Sequence, residues 1–172
     1  FAAWIYLDSL LAWRRIAGKL ATLTAGEWQM QVSNIDEVTF GIYNGGVNKG
    51  LAASAAISGS AWHFAVGWHD SVNNLVYIQV DNAAAVSAAT TGAPADTAIA
   101  VAIGSEVGGG SYWNGRMQSA GFWKRVLTAA ERTSLYNRGG ALRYDQVPLD
   151  LKTSLISYWN LGEPSGQRND SH

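Results

Sequence analysis

Residues 62–70, Trp62-His63-Phe64-Ala65-Val66-Gly67-Trp68-His69-Asp70, decide how this chain folds. Large apolar side chains alternate here with smaller or polar ones, which is the period-two pattern of a half-buried β-strand. Residues 71–74 suit a turn, and a second β-type run follows at residues 75–80. The sequence therefore predicts a β-hairpin at the centre of the chain.

Further β-type runs, separated by Gly, Asn, Asp and Ser, occur at residues 1–7, 14–19, 27–33, 38–43, 98–103 and 117–123. Residues 83–95 are rich in Ala, Thr and Gly and fit either a weak strand or a long loop. Many short strands at this spacing, with turn residues between them, indicate a sandwich or jelly roll.

One helix is marked near the end of this pattern. Thr128 can cap it, and Glu131 lies three residues later, which completes a capping box. Gly139-Gly140 provides a stop. The predicted fold class is an all-β antiparallel jelly-roll sandwich with one short α-helix at about residues 128–138.

Composition excludes several classes of protein. The 172 residues include 13 acidic and 12 basic side chains, for a net charge of −1, so the basic face of a nucleic-acid-binding protein is not expected. No apolar run approaches the roughly 18 residues of a membrane-spanning helix, so membrane insertion is not expected either. Cysteine is absent, which removes disulfides and thiolate chemistry.

Five motifs occur in order at residues 1–7, 62–70, 76–82, 101–104 and 113–131. Together they resemble LamG-like jelly-roll domains of the concanavalin A-like lectin/glucanase superfamily over about residues 1–140. Two positions depart from the family pattern: Asn82 stands where glycine is usual, and Gln118-Ser119 replaces an acidic pair. The resemblance implies a jelly roll, and it makes calcium a candidate cofactor.

The end of the chain resembles the strand that normally opens such a domain. We therefore expect a domain at residues 1–140 with its opening strands missing, a linker at 141–154, and an opening-type strand within 155–172. That strand could begin a next repeat, fold back as a permuted strand, or complete a neighbouring subunit. A tandem or polymeric context is favoured, because an incomplete sandwich exposes sheet edges. The predicted assembly residues are Leu155, Ile156, Tyr158, Trp159 and Leu161.

The sequence argues against an enzyme. Glucanases of this superfamily use clustered carboxylates on one strand, whereas Asp36 and Glu37 are adjacent and would face opposite sides of a strand. The Gly-x-Ser-x-Gly nucleophile elbow is also absent. His63 and His69 lie at opposite ends of one strand, the latter beside Asp70, and the favoured interpretation is a surface histidine next to a turn aspartate.

Two binding sites are conceivable. Calcium takes six to eight oxygen ligands, and the hairpin at residues 70–82 offers Asp70, Asn73, Asn74, Asp81 and Asn82, although such residues are equally common in turns. For a neutral sugar, flat aromatic rings beside amides are the usual chemistry. The candidates are Tyr43, Asn44, Tyr112, Trp113 and Asn114, with Asn48 nearby; core or edge packing is the competing role for Tyr112 and Trp113.

These observations predict a non-catalytic, extracellular structural or adhesive module, a repeat of a larger surface, fibre or filament protein that assembles by strand exchange. The alternative is a carbohydrate-binding, lectin-like module, with or without calcium. Self-association or neighbouring repeats are the expected partners, with a glycan as a further one. The expected location is extracellular, or the surface of a cell or virion.

Overall fold

A computed structural model describes residues 1–22, 25–162 and 170–171. Within these residues, eleven β-strands and one α-helix follow each other. The strands are β1 (Ala2–Leu7), β2 (Arg14–Thr22), β3 (Ala25–Val32), β4 (Glu37–Asn44), β5 (Val47–Ala56), β6 (Trp62–Asp70), β7 (Leu75–Val80), β8 (Val86–Ala89), β9 (Ala102–Ile103), β10 (Gly115–Trp123) and β11 (Leu155–Trp159). The helix is α1 (Ala129–Tyr136).

The strands form two antiparallel sheets, which confirms the predicted jelly-roll sandwich. A six-stranded sheet has the order β11-β10-β1-β6-β7-β8, and a five-stranded sheet has the order β5-β4-β3-β2-β9. The hairpin that decides the fold pairs Asp70 with Leu75 at its turn and Ala65 with Val80 at its open end.

Two apolar cores hold the sandwich together. The first lies between the sheets and includes Ile5, Met30, Phe40 and Ile78. The second lies on the outward side of the six-stranded sheet, where α1 and residues 141–155 cover it. Burial of apolar area at roughly 25 cal/mol per Å² makes both layers favourable. Among the described residues, no helix has the length and apolar character needed to span a bilayer.

Several strands differ from their predicted bounds. β5 has no counterpart in the prediction, because its Ala-rich sequence has weak β-propensity and pairing along β4 stabilises it instead. The expected strand at 98–103 shrinks to β9, and the undecided segment 83–95 contains only the short β8. The helix has the predicted capping box at Thr128 and Glu131, but it ends at Asn137 in a left-handed conformation, before the two glycines.

Residues 141–154 pack against the protein, although the sequence indicates a linker. Two 3-10 turns, Tyr144–Gln146 and Asp150–Lys152, lie in this segment, and Val147 and Leu151 are buried in the second core. Apolar side chains at these two positions explain the packing.

β11 pairs antiparallel with β10 of the same chain, so Leu155 lies opposite Trp123 and Trp159 lies opposite Ala120. Leu155 and Tyr158 are buried in the second core, Trp159 and Leu161 pack against the first, and Ile156 is exposed. Of the three arrangements that the sequence leaves open, the in-chain strand is the one in this structure. Exchange of the strand between chains stays a prediction.

Candidate functional site

The outward side of the five-stranded sheet is polar. In β3 and β4 the apolar residues Trp28, Met30, Phe40 and Ile42 point into the core between the sheets. Because side chains alternate along a strand, the residues between them point outward. We use the name polar face for this surface, which carries Arg15, Glu27, Gln29, Thr39 and Tyr43.

One hydrogen-bonded row crosses the polar face. Gln29 lies at its centre: its Nε2 donates to the Tyr43 hydroxyl, and its Oε1 accepts from Arg15 Nη1. Arg15 Nη2 donates to Glu106 Oε1 at 2.8 Å, and the Ser111 hydroxyl donates to the same oxygen at 2.8 Å. Three strands and the loop before β10 therefore share one polar network.

The row is largely buried. Arg15, Gln29 and Tyr43 are 3 %, 4 % and 5 % exposed, respectively. The Arg15 Nε is also buried and has no hydrogen-bond partner among the described residues. Unpaired buried polar atoms cost free energy, so this nitrogen would gain from an acceptor brought to it by a ligand or water.

A second polar cluster lies on the same face. Lys19 Nζ contacts Glu27 Oε1 at 2.6 Å, and the backbone N–H of Thr97 donates to that oxygen at 2.6 Å. Residues 93–97 therefore lie against β3 and β4, since Ala95 N–H also donates to the Tyr43 carbonyl at 2.8 Å.

The carboxylates of the polar face are ionised. Burial opposes the charge of Glu106, but hydrogen bonds from Arg15 and Ser111 and the charge of Arg15 outweigh it, so its pKa is lowered. The pKa of Glu27 is lowered too, because the contacts with Lys19 and Thr97 outweigh burial. For Tyr43, burial dominates over the Arg15 charge and raises the pKa of the phenol.

The predicted sugar residues lie in different surroundings. Tyr43 is on the polar face, and Tyr112, 65 % exposed, follows Ser111 at its border. The Asn44 amide donates to the Ala93 carbonyl at 3.2 Å. Trp113 packs against the core between the sheets and its indole N–H donates to the Arg116 carbonyl at 3.3 Å. Asn114 is exposed and its amide donates to Ser9 at 2.8 Å. The hydrogen-bonded row connects Tyr43 with the 111–112 loop and leaves out Trp113 and Asn114.

The predicted calcium residues do not converge. Asp70 and Asn73 are at the turn of the β6–β7 hairpin, and Asp81 and Asn82 follow its other end, about 20 Å away at the strand rise of 3.3 Å per residue. Asp70 accepts hydrogen bonds from Val72 and Asn73, while Asn82 accepts one from Thr133. Within the described part of the chain, no group of three His, Asp or Glu side chains could hold a metal ion.

His63, and not His69, forms a close contact with an aspartate. His63 Nδ1 lies 2.6 Å from Asp81 Oδ2, and the hydrogen bond that His63 donates to Asp81 raises the pKa of His63. The pKa of His69 is lowered because burial outweighs the charge of Asp70. Among the described residues, the close histidine–aspartate contact is the one between His63 and Asp81, which are 18 positions apart.

A cavity of about 400 Å³ opens at one end of the sandwich. Its walls are mostly apolar and aromatic, and its lining includes Trp28, Phe40, Trp68, His69, Phe122 and Arg125. Glu27 of the polar face and Pro94 also line this cavity, so it reaches the end of the sheet where residues 93–97 lie against β3 and β4.

Sequence reasoning missed most of the polar row. Gln29 and Glu27 were visible as the polar half of an alternating strand, which places them on one outward surface. Arg15 and Glu106 carry no such signal, because they are 91 positions apart and only the fold brings them together.

Comparison with protein families agrees with this architecture. A family model of the concanavalin A-like lectin/glucanases superfamily matches residues 1–131. The chain belongs to this superfamily. No curated protein shows a significant sequence match to this superfamily member.

Solved structures resemble the superfamily member in fold. A Bacteroides ovatus protein described as a candidate carbohydrate-binding protein has a TM-score of 0.67 and 15 % identity, over 99 % of this chain. The chain spans 48 % of that protein's length. The CBM40 of a Ruminococcus gnavus IT-sialidase, bound to α2,3-sialyllactose, has a TM-score of 0.60 and 16 % identity, covering 78 % of this chain and 79 % of its own. A heptameric SAP-like pentraxin from Limulus polyphemus has a TM-score of 0.57 and 15 % identity, over 99 % of this chain and 78 % of its own.

Proposed function

We propose that this superfamily member is a glycan-binding module and that the polar face is its binding surface. The exposed ring of Tyr112 at the border of the polar face carries the proposal, because the hydrogen-bonded row, itself largely buried, fixes the loop before β10 through Glu106 and Ser111. Amide, guanidinium and hydroxyl groups recognise sugar hydroxyls through hydrogen bonds. The family match and the carbohydrate-binding structural neighbours support this alternative better than an adhesive or filament role.

Tyr112 is the proposed stacking residue. Its ring is exposed, and it follows Ser111, which belongs to the polar row. A Cβ built on Gly109 would lie 2.8 Å from the Tyr112 hydroxyl, so this glycine lets the tyrosine lie close to the loop. A flat ring held in this way offers apolar contact area at a low entropic cost.

We propose binding without glycoside hydrolysis. Hydrolysis needs one carboxylic acid that stays protonated beside a second carboxylate. Glu27 and Glu106 each form an ion pair, with Lys19 and with Arg15 respectively, and each has a lowered pKa. Neither is therefore suited to protonate a glycosidic oxygen near neutral pH.

We also propose a location and a mode of assembly for the module. A glycan-binding module meets its ligand outside the cell, so we place it in an extracellular or surface location. Assembly with neighbouring copies, by exchange of residues 155–161, is a separate proposal, whose structural basis is the pairing of β11 at the edge of the six-stranded sheet.

A glycan array tests the binding proposal. Sialyllactose and lactose serve as an acidic and a neutral probe, each measured in calcium and in a chelator. We expect Tyr112→Ala to weaken any hit by about fivefold or more, since stacking of an aromatic ring is worth about 1 kcal/mol or more. The matched control is Trp62→Ala, which removes a partly exposed ring from the opposite sheet. Equal loss in both variants, or no glycan bound by the unaltered chain, would contradict the proposal.

A further inference from the structure

Ser58, His63 and Asp81 meet at one end of the sandwich, away from the polar row. Ser58 lies in the connection between β5 and β6, His63 is the second residue of β6, and Asp81 directly follows β7. Pairing of β6 with β7 brings the last two together, with Ala65 opposite Val80. None of the three belongs to the proposed glycan surface.

The contacts have the geometry of a nucleophile, a base and an orienting acid. The Ser58 Oγ lies 3.1 Å from His63 Nε2, and His63 Nδ1 lies 2.6 Å from Asp81 Oδ2. These distances suit a relay in which Nδ1–H donates to the carboxylate and Nε2 accepts from the hydroxyl. In the other protonation state, Nε2–H donates to the Ser58 carbonyl, also 3.1 Å away.

Asp81 is held in place from a second direction. Its Oδ1 accepts the Phe64 backbone N–H at 2.8 Å, and its own N–H donates to the Phe64 carbonyl at 2.9 Å. The carboxylate therefore has one oxygen fixed on the main chain and one on the imidazole. A fixed carboxylate selects one tautomer and one ring orientation of the histidine, which is the task of the third member of a triad.

We propose that Ser58 is an activated nucleophile that accepts acyl groups from small carboxylic esters. The Ser58 oxygen forms a bond to the carbonyl carbon while its proton moves to His63 Nε2. The carbon–alkoxide bond then breaks, and the leaving alcohol takes that proton. Water attacks the acyl-serine with the same help from His63, releasing the carboxylic acid and restoring Ser58.

The surroundings of Ser58 supply two further requirements. Ser58 is exposed, so an ester can reach it. A Cβ built on Gly59 would lie 3.1 Å from Leu10 Cγ, which places a half-exposed apolar side chain beside the nucleophile for a short acyl group.

The charges agree with this arrangement. The hydrogen bond and the charge of Asp81 raise the pKa of His63 despite opposition from burial. The contact with His63 and the Phe64 N–H outweigh burial and lower the pKa of Asp81. Asp81 is the charged group that acts on His63 among the described residues, and an imidazole stabilised in this way suits general-base chemistry.

The test uses the whole chain with a fluorophosphonate probe and, separately, p-nitrophenyl acetate. We expect one phosphonylated residue, Ser58, located by mass spectrometry. Ser58→Ala should abolish this label, and Asp81→Asn should slow labelling by at least about tenfold, because it removes the orienting charge. Ser71→Ala is the matched control, an exposed loop serine outside this cluster, and should label at the unaltered rate.

A pH profile separates activation from simple exposure. Labelling should rise with pH through the pKa of His63, above its ordinary value of about 6.5, and Asp81→Asn should move that inflection lower. Labelling that is absent, spread over several serines or insensitive to Asp81→Asn would overturn the proposal. Glycan binding is not measured here, so this outcome and that of the glycan array are independent.

Discussion

Removal of one hydroxyl, by Tyr43→Phe, tests whether the polar row is a structural unit. The Tyr43 hydroxyl accepts from Gln29 Nε2, and Gln29 is only 4 % exposed. A phenylalanine ring fills the same space, so packing is preserved while the amide loses its partner. A buried donor left without an acceptor costs about 1–3 kcal/mol.

This loss of stability in Tyr43→Phe is large enough to measure. For a chain of 150–250 residues, each kcal/mol lowers the melting temperature by about 2–4 °C, so the expected fall is roughly 2–12 °C. Urea unfolding followed by tryptophan fluorescence should show a lower midpoint with an unchanged slope. This slope is that of the free energy of unfolding against urea concentration, and a change in it would indicate an altered denatured state.

The matched control is Tyr6→Phe. Tyr6 is half-buried, and its ring contacts Trp62 and Arg116, but its hydroxyl has no hydrogen-bond partner among the described residues. Its loss should stay within about 0.5 kcal/mol, as for other sites without such features. Equal stability of Tyr43→Phe and Tyr6→Phe would refute the reasoning that the buried amide depends on Tyr43.

Four further predictions concern packing, charge, assembly and calcium. Gly67→Ala should lower the free energy of unfolding by about 1–3 kcal/mol, because its methyl would lie against Phe40 and 2.8 Å from Met30 Cε; chemical unfolding measures this. Hydrogen bonds from Arg125, and then from Thr128, lower the pKa of Glu131 to about 2. Glu131→Gln should therefore lower the free energy of unfolding by about 1 kcal/mol above pH 4.5, and by progressively less as the pH falls towards 2. Urea unfolding at several pH values measures this. Removal of residues 154–172 exposes the edge of β10, and light scattering should then detect oligomers; a monomer with and without the segment would contradict strand exchange. Addition of a chelator should leave the melting temperature unchanged, since the predicted calcium residues lie at opposite ends of a hairpin.

The sequence predicts the sandwich well where apolar and polar residues alternate along a strand. Residues 62–80 show this pattern, and the structure has β6, β7 and their turn at the predicted positions. The sequence does not predict β5, because its alanines have little preference for a strand. Pairing with β4 makes this segment a strand. The helix N-terminus is predicted correctly because a capping box is a local interaction between residues three positions apart.

The contacts of the candidate binding residues depend on distant partners, which the sequence does not show. For Trp113 the sequence leaves sugar binding and core or edge packing open, and its ring packs against the core. The favoured interpretation of His69 is a surface histidine beside the turn residue Asp70, and the close contact in the structure joins His63 and Asp81, 18 positions apart. Adjacent side chains on a strand point to opposite faces, so neighbours in sequence are often not neighbours in space.

The sequence by itself determined the all-β class, the central hairpin, the capped helix and membership of a jelly-roll family, since these depend on local periodicity and on motifs in order. Only the tertiary structure decided that β11 pairs with β10, that residues 141–154 pack on the six-stranded sheet, and that Arg15 contacts Glu106. The physical reason is that these contacts join residues far apart in the chain. Their energies depend on distance and burial, which a linear pattern does not contain.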